Sequence, residues 1–140
     1  MLEYDLSKFE KSCCQLFEVF KNQLTWKWDS RFETVLAEFS VKEKASVQKS
    51  IKTHMGTTWD DGNSGNAPET VKMIINCFGG MNPGQQLFTS DPEKDDIVLC
   101  AWWPWGNGQT ISIRLGVFAN TLNDDDNKEL TRLFRGWFDL

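Results

Sequence analysis

Ile97-Val98-Leu99-Cys100-Ala101-Trp102-Trp103 and Ile111-Ser112-Ile113-Arg114-Leu115-Gly116-Val117 are two apolar runs on either side of Gly106-Asn107-Gly108. A short glycine-bearing stretch between such runs is the residue signature of a tight β-hairpin. Side chains alternate along a strand, so Ile111, Ile113, Leu115 and Val117 share one face. On the first run Ile97, Leu99, Ala101, Trp103 and Trp105 form the more apolar set. Directly opposed residues lie on the same face, and bringing the two sets together needs a loop of odd length. Parity therefore predicts a three-residue Gly106-Asn107-Gly108 loop with Gly108 at positive φ. It disfavours a two-residue Asn107-Gly108 turn, which would set Ile111 and Ile113 opposite Pro104 and Trp102. Pro104 lacks an N–H, so its end of the strand reads as an edge or a bulge.

Working outward, 140 residues suffice for one domain with its own core, and 1–140 reads as a single globular unit. Ten Phe, seven Trp and one Tyr argue against disorder. No apolar run reaches the roughly 18 residues a membrane span needs. Residues 1–5 are acidic where a signal peptide would be basic and then apolar. A cytoplasmic protein is the simplest expectation, although export without a cleaved signal would leave the same features. Cys13, Cys14, Cys77 and Cys100 show no C-x-x-C spacing, and His54 is the only histidine. That pattern predicts reduced, mostly buried thiols and neither a structural zinc nor another cofactor.

The net charge of −5 is unevenly spread. Residues 1–58 hold 9 basic and 8 acidic side chains, whereas 59–140 hold 6 and 12, so the acidity belongs to the hairpin half. A field of that sign repels phosphate backbones and disfavours nucleic acid as a partner.

Residues 6–24 carry Leu6, Phe9, Cys13, Leu16, Phe17, Phe20 and Leu24, with Leu2 ahead of them, at three- and four-residue steps, which predicts a helix with Asp5 as N-cap. Over 26–39, Trp28, Phe32, Val35 and Phe39 have helical spacing and Ser30 with Glu33 resembles a capping box, yet Thr34-Val35-Leu36-Ala37 also reads as a strand; the balance favours helix. Ser40 with Glu43 opens a more polar helix to about Met55, ended by Gly56. Asp60 to Asn66 is turn chemistry, and a calcium loop fails on spacing, because Gly62 and Val71 fall where ligands belong. A helix from about Pro68 to Phe78, a short strand 86–89, the hairpin and a last helix from about Asp124 to Phe138 complete the chain. The expected fold is α+β: a short antiparallel β-meander of about three strands, with the central hairpin at 97–118, flanked by four or five helices.

Candidate functional residues follow from that path. If strands 86–89, 97–105 and 109–118 pair in order, the loop before the second and the segment after the third share one end. Asp91, Glu93, Asp95 and Asp96 then meet Asp124, Asp125 and Asp126 in an acidic pole opposed only by Lys94. Such a pole is either solvated surface with a helix N-terminus or a docking surface for a basic protein. A divalent-ion site would need ligand spacing that is absent. In the odd-loop register Trp102 points away from Ile111 and Ile113 and lies diagonal to Arg114, which would make Trp102 with Arg114 an interface hot spot if it is exposed, or a helix-covered residue if not. Trp59 beside Asp60 and Asp61 is a weaker case of the same kind.

No nucleophile elbow, P-loop, dinucleotide fingerprint or H-E-x-x-H occurs, so catalysis is not expected. The favoured function is a non-enzymatic protein-binding module. Its most concrete version is a small acidic inhibitor that blocks a basic enzyme, as immunity proteins of bacterial toxins do, by analogy of size and charge alone. Two rivals stand beside it: a small-ligand or carbohydrate-binding domain stacking on Trp59, Trp102 and Trp105, and a hydrolase in which Asp60, Asp61 and His54 converge.

Overall fold

Residues 5–140 are described by the computed structural model; Leu2 of the first helical stripe and most of the acidic N-terminal stretch fall outside them. Twelve segments follow one another: α1 (Ser7–Phe20), β1 (Lys27–Asp29), β2 (Thr34–Ser40), a 3-10 turn (Val41–Glu43), α2 (Lys44–His54), β3 (Thr57–Trp59), a second 3-10 turn (Ser64–Asn66), α3 (Glu69–Cys77), β4 (Gln86–Thr89), β5 (Asp96–Pro104), β6 (Thr110–Ala119) and α4 (Asp124–Trp137). The strands form one antiparallel sheet in the order β1-β2-β6-β5-β4-β3. The expected three-strand meander is therefore corrected to a six-stranded sheet with four α-helices, still α+β, in which β4-β5-β6 is the central run.

The largest correction to a single element is Thr34–Ser40, expected as helix and found as strand. Val35, Ala37 and Phe39 are buried while Glu38 and Ser40 are exposed. The segment thus alternates with period two, although Val35 and Phe39 also satisfy a four-residue step. Pairing decides between the two periods. Val35, Ala37 and Phe39 stand opposite Leu115, Ile113 and Ile111 of β6, and cross-strand packing of β-branched and aromatic residues outweighs a weak helical pattern.

The hairpin register is the second correction. Trp102 stands opposite Ile113 and Pro104 opposite Ile111, the pairing that parity had disfavoured. The connection is the four residues Gly106 to Gln109: Trp105 N donates to Thr110 O (2.8 Å) and Gly108 N to Trp105 O (3.2 Å). Asn107 Oδ1 accepts from the Gln109 and Thr110 amides, and Gly108 takes the expected positive φ, +71°. The odd-loop expectation assumed one buried face. Both faces of this sheet are covered at β5, so neither apolar set is sent to solvent.

On one face Val35, Ala37, Phe39, Ile111, Ile113, Leu115, Val98, Cys100, Trp102 and Phe88 meet α1 through Phe9, Cys13, Leu16 and Phe20, α2 through Val47 and Ile51, and α4 through Leu130 and Phe134. On the other, Ile97, Leu99, Ala101 and Leu87 meet Val71, Ile74 and Ile75 of α3. Gly116 sits where β6 passes beneath the 30–33 turn; a Cβ there would lie 3.1 Å from Thr34 Cγ2 and 3.5 Å from Leu99 Cδ1. Among the described residues no helix is long and apolar enough to cross a membrane.

Candidate functional site

Antiparallel pairing of β4, β5 and β6 sets the loop 90–95 beside the chain that leaves β6. Asp96 stands opposite Ala119, and one step further Asn120 N donates to Asp95 O at 3.0 Å. The two acidic segments are thus joined by a main-chain hydrogen bond at one end of the sheet. Asn123 opens α4 by accepting from Asp126 N (2.8 Å), and Asp124, Asp125 and Asp126 occupy its first turn, where carboxylates oppose the partial positive charge of the helix N-terminus. Asp91 Oδ1 accepts from Glu93 N (3.0 Å), which shapes the other segment. Lys94 of the loop and Lys8 of α1 line a small hollow with Asp91 and Asp96, and Lys128 follows one helical turn after Asp124.

The tryptophans fall elsewhere. Trp102 is 2% exposed and makes edge-to-face contacts with Phe39 (5.6 Å) and Phe88 (5.9 Å), so it is core. The residue diagonal to Arg114 is Trp103, one position along. Arg114 Cζ lies 4.3 Å from the Trp103 ring centre and 5.5 Å from that of Phe32, while Arg114 Nε donates to Asp29 Oδ2 at 2.7 Å. The cation-π pairing expected of Trp102 thus belongs to Trp103, because the register is shifted by one. Asp29 also accepts from Arg31 N and Thr34 Oγ1, so it holds the 30–33 turn down on Arg114. Sequence reading gave Asp29 no role and used Phe32 only for its helical spacing; their partners lie 85 and 71 positions away at Arg114 and Trp103.

Trp59 donates Nε1 to Thr89 Oγ1 (3.1 Å) and pairs with Leu87 on the edge strand β3. Since Thr57 stands opposite Thr89, the chain runs from Thr57 to Trp59 away from the acidic end, and Asp60 and Asp61 leave in that direction. Asp60 Oδ1 accepts from Gly62 N and Asn63 N, a local turn. His54 Nδ1 lies 2.9 Å from Ser50 O, and among the described residues that is its hydrogen bond; it does not converge with Asp60 or Asp61. Trp105, 44% exposed at the hairpin tip, is the tryptophan most open to solvent.

Cys13 and Cys100 are buried and Cys14 and Cys77 exposed, and burial pushes the first two thiols well above their ordinary value. Half of the expectation of buried thiols therefore fails. Among the described residues no three His, Cys, Asp or Glu side chains gather as metal ligands would. A cleft of about 410 Å³ with a largely apolar lining lies between the 30–33 turn, α3, α4 and the end of β6. No family model, curated protein or solved structure matches this chain.

Proposed function

We propose that this chain is a protein-binding module that docks a basic partner through the acidic end of its sheet, with Asp91, Glu93, Asp95, Asp96, Asp124, Asp125 and Asp126 as the facing carboxylates. The observation that carries the reading is the Asn120 N to Asp95 O hydrogen bond, which ties both acidic segments to one place. The two segments carry seven carboxylates, with Lys8, Lys94 and Lys128 as the nearby cations. Their field raises the association rate with a positive surface and rejects a negative one. In the most concrete version the partner is a basic enzyme, and the carboxylates occupy the space where it would hold an anionic substrate. The protein then acts as a small acidic inhibitor of the immunity type and carries out no chemistry itself.

Affinity capture from the native host tests this, with the wild-type chain and the Asp124→Asn/Asp125→Asn/Asp126→Asn variant compared at low and high salt. The reading expects one basic protein retained at low salt, released at high salt and retained less by the variant, because exposed charges are screened by ions. A bound protein indifferent both to salt and to the triple substitution overturns it, as does the absence of any protein held better by the wild type than by the variant.

A further inference from the structure

The cleft between the 30–33 turn, α3, α4 and the end of β6 has the size of a small-molecule site, about 410 Å³. Its walls are largely apolar, with Met73 and Phe78 from the α3 side, Leu99 and Phe118 from the sheet, and Phe134 from α4. Two threonine hydroxyls in it are spent as donors inside the chain and keep only lone pairs for a ligand. Thr34 Oγ1 donates to Asp29 Oδ2 (3.4 Å) and Thr131 Oγ1 to Asn127 O (2.9 Å), so each hydroxyl spends its single hydrogen inside the chain. Asn127 Nδ2 donates one of its two hydrogens to Leu122 O (3.1 Å) while its Oδ1 keeps open lone pairs, and Asn120 adds a second amide that can both donate and accept. Among the described residues Glu33 is the one charged residue lining the cleft, and ionised it only accepts. Among the described residues no Lys, Arg or His lines it. Aromatic rings add faces of negative quadrupole.

Oxygen lone pairs, a carboxylate and ring faces favour a positively charged donor, and among the described residues no basic side chain in the lining favours an anion. We infer that this cleft binds a small organic cation, an ammonium group on a short aromatic or aliphatic body, with the ammonium at Glu33 and the body against the apolar walls. Glu33 is not among the carboxylates of the acidic end, so this site stands whether or not that end docks a protein.

The test is an amide-resolved NMR titration of the full chain with three probes of matched body: phenethylamine (a cation), 2-phenylethanol (neutral) and 3-phenylpropionate (an anion). The inference expects phenethylamine to give saturable shifts at the Gly116, Asn127 and Thr131 amides, phenylethanol to give weaker ones, and phenylpropionate to give none. Glu33→Gln should weaken phenethylamine about threefold to fivefold, the scale of an exposed ion pair, and leave phenylethanol unchanged. Thr131→Arg, which plants a guanidinium in the cleft, should abolish phenethylamine binding. Phenylpropionate binding as tightly as phenethylamine overturns the inference, as does an absence of saturable shifts. So do phenethylamine shifts confined to residues 91–96 and 124–126.

Discussion

Trp103 and Arg114 stack across neighbouring strands, with the guanidinium carbon 4.3 Å from the centre of the indole, while the same arginine is tied to Asp29 at 2.7 Å. The Arg114 and Asp29 side chains are only 16% and 11% exposed. Removing the arginine strands a carboxylate that has little water around it. Arg114→Ala is expected to cost about 2–3 kcal/mol, somewhat less than a fully buried pair would. Arg114→Lys keeps the charge but loses the planar stack, and should cost about 1 kcal/mol. Urea unfolding with the m-value held constant reads both, and an Arg114→Ala variant as stable as wild type would show the pair to be surface decoration.

Trp102 and Trp105 separate the two possible hairpin registers. With Trp102 inside the core, Trp102→Ala should lose about 3–5 kcal/mol, whereas Trp105→Ala at the exposed tip should stay within about 0.5 kcal/mol. Similar small losses at both positions would contradict the pairing of Trp102 with Ile113.

At Gly116 a Cβ would meet Thr34 Cγ2 at 3.1 Å, with Leu99 close behind. Thr34 is held by its bond to Asp29, so it yields only by loosening the turn. Gly116→Val is expected to destabilise by about 1–3 kcal/mol, as overpacking does. Recovery of part of that loss in a Gly116→Val/Thr34→Ser double variant would show that the methyl group is the obstacle.

Alkylation of the folded chain at neutral pH should label Cys14 and Cys77 and spare Cys13 and Cys100, whose buried thiols resist forming the thiolate. Mass spectrometry of the digested product reads this directly. Labelling of Cys13 at the rate of its neighbour Cys14 would mean that α1 does not lie on the sheet as described.

The helices and the central strands were legible because their signals are local. The Phe9, Cys13, Leu16 and Phe20 stripe of α1 and the strand 86–89 were found where their spacing put them. The strands β1 and β3 have three residues each and acquire their identity only from partners, Trp28 from Val35 and Thr58 from Phe88. The Thr34–Ser40 segment carried two periods at once, and only β6 chose between them. Register failed for a different reason: helices cover both faces at β5, so the apolar set on one face cannot dictate which way the hairpin turns. The meeting of the acidic segments followed from chain direction alone. The cleft did not, since Glu33, Met73, Gly116 and Thr131 are brought together only by the folded chain.

The central claim, that the acidic end is a docking surface, is met most directly by the association rate of the captured partner as a function of ionic strength. The rate should fall steeply as salt rises and should lose most of that slope in the Asp124→Asn/Asp125→Asn/Asp126→Asn variant. An association rate flat in salt, or a slope unchanged by the substitutions, would contradict it.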